Sequence, residues 1–114
     1  MEPGYILDNA QVQERERLRL RESVHDPETT RHFERLGVAE GWHCLEVGAG
    51  GGSIAEWLCQ QVGNRGHVVA TDLDTRFLDF LEYPNLEVRR HDIAQEGFAI
   101  GAFDLVHTRQ FSST

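Results

Sequence analysis

The stretch "LEVGAGGGSIAEWL", residues 45–58, decides the fold. It starts with apolar residues typical of a buried strand, passes through a glycine-rich turn at residues 48–52, and continues with apolar residues at helical spacing. Glycines let the backbone bend sharply and come close to a ligand. The following helix offers free N–H groups and a positive dipole end, which favour an anionic group. Taken alone, the turn favours a ligand site, and the less favoured alternative is a tight strand-to-helix connection without a ligand.

The segments around this turn alternate between strand-like and helix-like patterns. We predict strands at residues 42–47, 66–72, 85–93 and 102–108, and helices at residues 53–62 and 74–83. The second of these strands is almost continuously apolar, as expected for a parallel strand buried on both faces. Strands connected by helices predict an α/β protein with a doubly wound parallel sheet.

Two helices are predicted ahead of the sheet. The first covers residues 9–24, which are rich in helix formers. A second helix is expected to start where Asp26 can cap it and Pro27 can take its first position. We therefore divide the chain into a helical N-terminal cover, residues 1–40, and a sheet-containing unit, residues 41–114.

Composition narrows the class of protein. A chain of 114 residues with a net charge of −8 is expected to form one domain, and its acidity argues against a nucleic-acid partner. There is no long apolar run and no signal-peptide pattern at the N-terminus, so we expect no membrane association and a cytoplasmic location. The two cysteines are expected to be free thiols. Six histidines lack metal-ligand spacing, so no metal site is predicted.

Acidic residues end two of the predicted strands. Asp72 ends the second strand, where a carboxylate can accept hydrogen bonds from both hydroxyls of a ribose. Its alternative role is a helix cap, for which Asp74 and Thr75 are better placed. Asp92 ends the third strand, where it can accept a hydrogen bond from an adenine amino group while Ile93 supplies an apolar edge and an N–H. The alternative for Asp92 is an ordinary turn residue.

The glycine spacing separates two possible ligands. A dinucleotide fingerprint G-x-G-x-x-G starting at Gly48 would need glycine at position 53, where Ser53 stands. Glu46, within the strand, would also repel a pyrophosphate. A ligand with an ammonium, a sulfonium and one carboxylate suits these residues better, and S-adenosylmethionine has that composition. A nicotinamide cofactor is therefore the less favoured alternative.

Four successive stretches resemble the motifs of class I S-adenosylmethionine-dependent methyltransferases. They are "LEVGAGGGSIAEWL", "VVATDLD", "VRRHDI" and "FDLVHTR", within residues 38–109. The N-terminal "YILDNAQVQERERLRL" is similar to the helical cover of family members that act on small molecules. The resemblance implies a Rossmann-like doubly wound parallel sheet with strand order 3-2-1-4. It also implies direct displacement of a methyl group from S-adenosylmethionine onto a small-molecule acceptor.

The resemblance also implies roles for matching residues. The cofactor-binding residues that it implies are Glu46, Gly48, Ala49, Gly50, Gly52, Asp72, Leu73, Asp92, Ile93, His107 and Thr108. Those in and before the glycine turn would surround the methionine part, and Asp72 would hold the ribose diol. Leu73, Asp92 and Ile93 would contact the adenine. His107 and Thr108 would lie near the ammonium and the methyl group. His107 is the candidate catalytic base, and its alternative role is simple packing.

The resemblance covers only part of the expected family fold. Family members continue into further strands, so we expect a sheet truncated after the fourth strand. Its apolar residues Phe103, Leu105 and Val106 would form an edge open to pairing with a second copy or another partner. A non-catalytic module that binds S-adenosylmethionine or a partner protein is therefore the alternative to an active methyltransferase.

Overall fold

The computed structural model describes residues 9–90 and 100–108. Their elements are α1 (Asn9–Leu36), β1 (His43–Val47), α2 (Ser53–Val62), β2 (His67–Asp72), a 3-10 turn (Leu78–Phe80), β3 (Leu86–Arg90), a second 3-10 turn (Ile100–Ala102) and β4 (Leu105–Thr108). Within those two ranges, no helix has the length and apolar character required to cross a membrane.

The four strands form one parallel sheet in the order β3-β2-β1-β4. The predicted α/β class and the predicted strand order are confirmed. β1 lies between β2 and β4, so Glu46 pairs in register with Ala70 on one side and with His107 on the other. Because all strands point the same way, their carboxyl ends meet at one edge of the sheet, where ligands bind in such folds.

Helix α2 packs on one face of the sheet, as its periodicity predicts. Its residues Ile54, Leu58 and Val62 recur every fourth position and are all buried. They pack in one core cluster with Cys44 of β1 and Val68 of β2. Burying a side chain such as Leu58 stabilises the fold by about 2 kcal/mol. This packing fixes the start of α2 against the carboxyl ends of β1 and β2.

The N-terminal region is one helix where the sequence predicts two. Helix α1 runs from Asn9 to Leu36 with Pro27 inside it, so the predicted break at Asp26 is not found. A proline inside a helix costs one backbone hydrogen bond, but tertiary contacts override this cost. Glu22 is buried before the proline and Phe33 is buried after it, so both halves of the helix are fixed to the domain.

The connection between β2 and β3 also differs from the prediction. In place of the helix predicted over residues 74–83, the structure has a single 3-10 turn from Leu78 to Phe80. Asp74 accepts hydrogen bonds from the backbone N–H and the guanidinium of Arg76, which stabilises a local turn in place of a helix start. Leu78 is buried within this turn and belongs to the same core cluster as the buried face of α2.

Candidate functional site at the carboxyl edge of the sheet

The glycine turn, residues 48–52, is fixed to the end of β2 by backbone hydrogen bonds. The N–H groups of Gly48 and Ala49 both donate to the carbonyl of Thr71, at 2.8 and 2.9 Å. Gly48, Gly50 and Gly52 have φ angles of 72°, 60° and 90°. Residues with a Cβ are strained at such angles, so this turn requires glycine. The turn therefore presents backbone, with little side chain, at the start of α2.

Asp72 joins the end of β2 to the glycine turn through its side chain. Its Oδ2 accepts a hydrogen bond from the Gly50 N–H at 2.8 Å, and its Oδ1 accepts one from the Asp74 N–H at 3.2 Å. A carboxylate has about four acceptor positions, so both oxygens can still accept from a ligand hydroxyl. Two residues that the sequence predicts to share one site are thus in direct contact, while the ribose role of Asp72 stays a prediction.

Helix α1 contributes a residue to the glycine turn that sequence reasoning missed. A Cβ added at Gly51 would lie 2.7 Å from Oε2 of Glu22, whose residue is only 7% exposed. A Cβ added at Gly52 would lie 2.7 Å from Cδ1 of Leu81. Both glycines therefore let other elements pack closely against the turn. Glu22 lies in a run of alternating arginines and glutamates that gave no sign of a buried carboxylate.

Glu46 and His107 form a pair across β1 and β4. Their side chains meet with His107 Nδ1 2.6 Å from Glu46 Oε1. Glu46 is fully buried, whereas the His107 side chain is 26% exposed. The ring of Phe33, from α1, packs edge-on against the imidazole with 5.0 Å between centroids. The sequence predicts a site role for both residues but not their contact, which depends on the register of β4.

A cleft lies beside this pair, between α1 and β4. We call it the His107 cleft; it has a volume of about 320 Å³ and is lined by His25, Glu28, Thr29, His32 and His107. That volume is near the lower end of the usual range for small-molecule sites. Its lining supplies hydroxyl, imidazole and carboxylate groups, so it suits a small polar ligand. The four residues from α1 were not predicted as site residues.

The remaining predicted site residues occupy different surroundings. Leu73 is 60% exposed at the end of β2, and Ala49 is buried within the turn. Thr108 is exposed at the end of β4, next to Val47 of β1. Asp92 and Ile93 lie outside the described residues.

Cys44 of β1 and Cys59 of α2 are free thiols, and both are buried. Burial raises the pKa of the Cys44 thiol to about 12, with smaller contributions from neighbouring acidic groups, led by Asp104. Burial likewise raises the pKa of the Cys59 thiol to about 12. Thiols with so high a pKa are poor nucleophiles at neutral pH. In residues 9–90 and 100–108, no group of three or more histidines, cysteines or carboxylates is arranged to hold a metal ion.

Several solved structures have a fold similar to that of this chain. A "SAM dependent methyltransferase from Aquifex aeolicus" is 25% identical, with a TM-score of 0.61 over 77% of this chain and 50% of its own. A "putative methyltransferase from Thermoplasma acidophilum" is 24% identical, with a TM-score of 0.55 over 69% of this chain and 38% of its own. A cyclopropane-fatty-acyl-phospholipid synthase-like protein from Lactobacillus casei is 24% identical, with a TM-score of 0.51 over 66% of this chain and 34% of its own.

The chain thus spans half or less of the length of these structures. Curated protein sequences include no significant match to it. A family model described as a methyltransferase domain matches residues 44–113, from β1 through β4. Because this match covers more than half of the chain and includes the glycine turn, Asp72 and His107, the chain belongs to the methyltransferase domain family.

Proposed function

We propose that this chain binds S-adenosylmethionine at the glycine turn and belongs to a methyltransferase that acts on a small molecule. The observation that carries the proposal is the 2.8 Å hydrogen bond from the Gly50 N–H to Asp72 Oδ2. It combines a backbone-lined turn and a strand-end carboxylate in one site. When bound, the cofactor supplies a methyl group activated by an adjacent sulfonium.

The residues around the turn fit the charges of this cofactor. The start of α2 offers N–H groups and a positive dipole end to the cofactor's carboxylate. The carboxylates of Glu22 and Glu46, buried at this edge of the sheet, favour its ammonium and sulfonium. The same two carboxylates disfavour the pyrophosphate of a nicotinamide cofactor. Asp72 is the residue that would hold the ribose hydroxyls.

The proposed small size of the methyl acceptor is supported by the His107 cleft. A cleft of about 320 Å³ has room for a small molecule. α1 forms one wall of this cavity, and β4 forms the other through His107. The net charge of −8 further disfavours a nucleic-acid substrate.

Isothermal titration with S-adenosylmethionine tests the cofactor assignment. We expect saturable binding by the full chain and a loss of at least about tenfold in affinity in Asp72→Ala, since one charge-assisted hydrogen bond contributes 1.5 kcal/mol or more. Asp79→Ala is the matched control, because Asp79 is exposed in the segment that follows β2. Equal affinities in the two variants would contradict the site, and tighter binding of NAD would favour an oxidoreductase. Binding without methyl transfer to any acceptor would favour the non-catalytic module.

A further inference from the structure

The Glu46–His107 pair combines a fully buried carboxylate with an imidazole that is partly exposed to a cleft. Glu46 is fully buried on the central strand, and its Oε1 lies 2.6 Å from Nδ1 of His107. We assign His107 Nδ1 as the donor in this contact, because an ionised carboxylate can only accept hydrogen bonds. The neutral imidazole then has its lone pair on Nε2. None of the described residues forms a hydrogen bond with Nε2.

The exposed part of His107 lines the cleft opposite α1. From this geometry we infer that His107 is the general base of the reaction, held by Glu46 as positioning residue. The inferred acceptor is a small molecule with a hydroxyl group of phenolic acidity, bound in the His107 cleft. The inference rests on the proposed methyl transfer and names the substrate class of that site.

The acidity of the acceptor follows from what a histidine base can do. A phenolic hydroxyl has a pKa near 10, about 3.5 units above that of an imidazole, and so gains from partial proton removal as it attacks. A carboxylate acceptor is already ionised at neutral pH and needs no base. An aliphatic alcohol is too weakly acidic for an imidazole to assist efficiently. Thr29 and the other polar residues of the cleft suit a second polar substituent on the acceptor.

Ionisable side chains from β1 and α1 surround the His107 cleft. Glu46 approaches the ring from β1, and Glu28 lines the same cleft from α1. His25 and His32 are the other titratable groups of that wall.

The proposed step balances without a further reactant. The acceptor oxygen forms a bond to the methyl carbon while the carbon–sulfur bond breaks. The electron pair of that bond stays on sulfur, which becomes a neutral thioether. The hydroxyl proton moves to Nε2 of His107, and the imidazolium releases it to water after the methyl ether leaves.

Histidine tautomers in the full chain test the arrangement without cofactor or acceptor. Long-range proton–nitrogen NMR spectra distinguish a protonated from a bare ring nitrogen, and the signals absent from His107→Gln identify His107. We expect a protonated Nδ1 and a bare Nε2. The opposite tautomer would overturn the inference.

A chromophoric phenol tests proton acceptance directly. We expect p-nitrophenol bound to the full chain, at a pH below its own pKa, to show about a tenfold higher ratio of phenolate to phenol than in water, equivalent to one pKa unit. Glu46→Gln and His107→Gln should return the ratio to its value in water. His43→Gln, at the opposite end of β1, should keep the wild-type ratio.

The outcomes separate this inference from the proposed function. No binding of the probe, or equal ionisation in His107→Gln and wild type, would overturn the assignment of the cleft and its base. A histidine that only connects β4 to β1 would give equal ionisation. A failed titration with S-adenosylmethionine, with probe ionisation intact, would overturn methyl transfer and leave His107 as a proton acceptor.

Discussion

The glycine turn and the His107 cleft lie at the same edge of the sheet, but the turn is lined by backbone groups and the cleft by side chains. The turn presents backbone N–H groups, and its geometry depends on missing side chains. The cleft is made of side chains, and its central contact joins a buried carboxylate to a half-buried imidazole. We infer that the turn is sensitive to added atoms, whereas the cleft is sensitive to the loss of a hydrogen-bonding side chain.

The largest effect on stability is expected at the cleft. His107→Ala removes the imidazole partner of the fully buried Glu46, so we expect a loss of about 3 kcal/mol in the free energy of unfolding. Urea denaturation measures this loss. His43→Ala, on the exposed first residue of β1, should change stability by less than about 0.5 kcal/mol. Equal losses in the two variants would show that the buried pair is not the sensitive part of this region.

A somewhat smaller effect is expected in the turn. Gly52→Ala places a Cβ at a φ of 90° and within 2.7 Å of Leu81. We expect a loss of about 2 kcal/mol, because the left-handed conformation alone costs about 1–2 kcal/mol. Gly101→Ala is the control, since no other atom lies within 4 Å of its added Cβ and its φ is not positive. If both substitutions have the same effect in urea denaturation, the turn does not depend on missing atoms.

The two buried cysteines report on how tightly β1 and α2 pack beneath the glycine turn and the His107 cleft. Cys44 lies on β1 near Glu46 and Cys59 lies on α2, and burial holds the pKa of each thiol at about 12. Both values are above the ordinary 9.0, so their contribution to stability is complete below pH 9 and is lost as the pH rises from 9 towards 12.

At pH 8 we therefore expect thiol labelling of the folded chain to be on the order of a thousandfold slower than in urea, because the thiolate fraction falls tenfold for each unit by which the pKa is raised. His107→Ala should accelerate labelling at Cys44 more than at Cys59, which separates local loosening of β1 from global unfolding. Rapid labelling of wild type at pH 8 would contradict the burial of Cys44 and Cys59.

The smallest effect concerns α1, the element that contacts both regions. Pro27→Ala restores the hydrogen bond that proline cannot donate to Ser23, so we expect a gain of about 1 kcal/mol, the net contribution of one hydrogen bond, and no loss of helicity. Circular dichroism and urea denaturation measure both quantities. Glu34→Ala, at an exposed position of the same helix, should leave stability within about 0.5 kcal/mol of wild type. A loss of stability in Pro27→Ala would show that the proline supports the position of α1.

Features that depend on local sequence could be predicted. The glycine turn, the periodicity of α2 and the strand-end position of Asp72 all follow from short patterns, and the strand order follows from the resemblance. The continuity of α1 could not be predicted, because the local signal at Asp26 and Pro27 favours a helix start. Only the packing of both helix halves against the domain overrides that signal.

Contacts between distant segments could not be predicted either, because they depend on tertiary packing and not on local sequence patterns. The approach of Glu22 to Gly51 depends on how α1 crosses the start of α2, which no pattern in its sequence encodes. The contact between Glu46 and His107 depends on the register of β1 against β4. A shift of one residue in that register would turn the imidazole to the other face of the sheet.

The position of β1 between β2 and β4 also has a consequence for the order of folding. β1 and β2 pair across about 24 positions of chain, whereas Glu46 and His107 are 61 positions apart. Closing the longer loop costs about 0.8 kcal/mol more in chain entropy. We therefore expect β1, α2 and β2 to associate first and β4 to join late. The glycine turn would then form early, whereas the proposed catalytic base would be completed only near the end of folding.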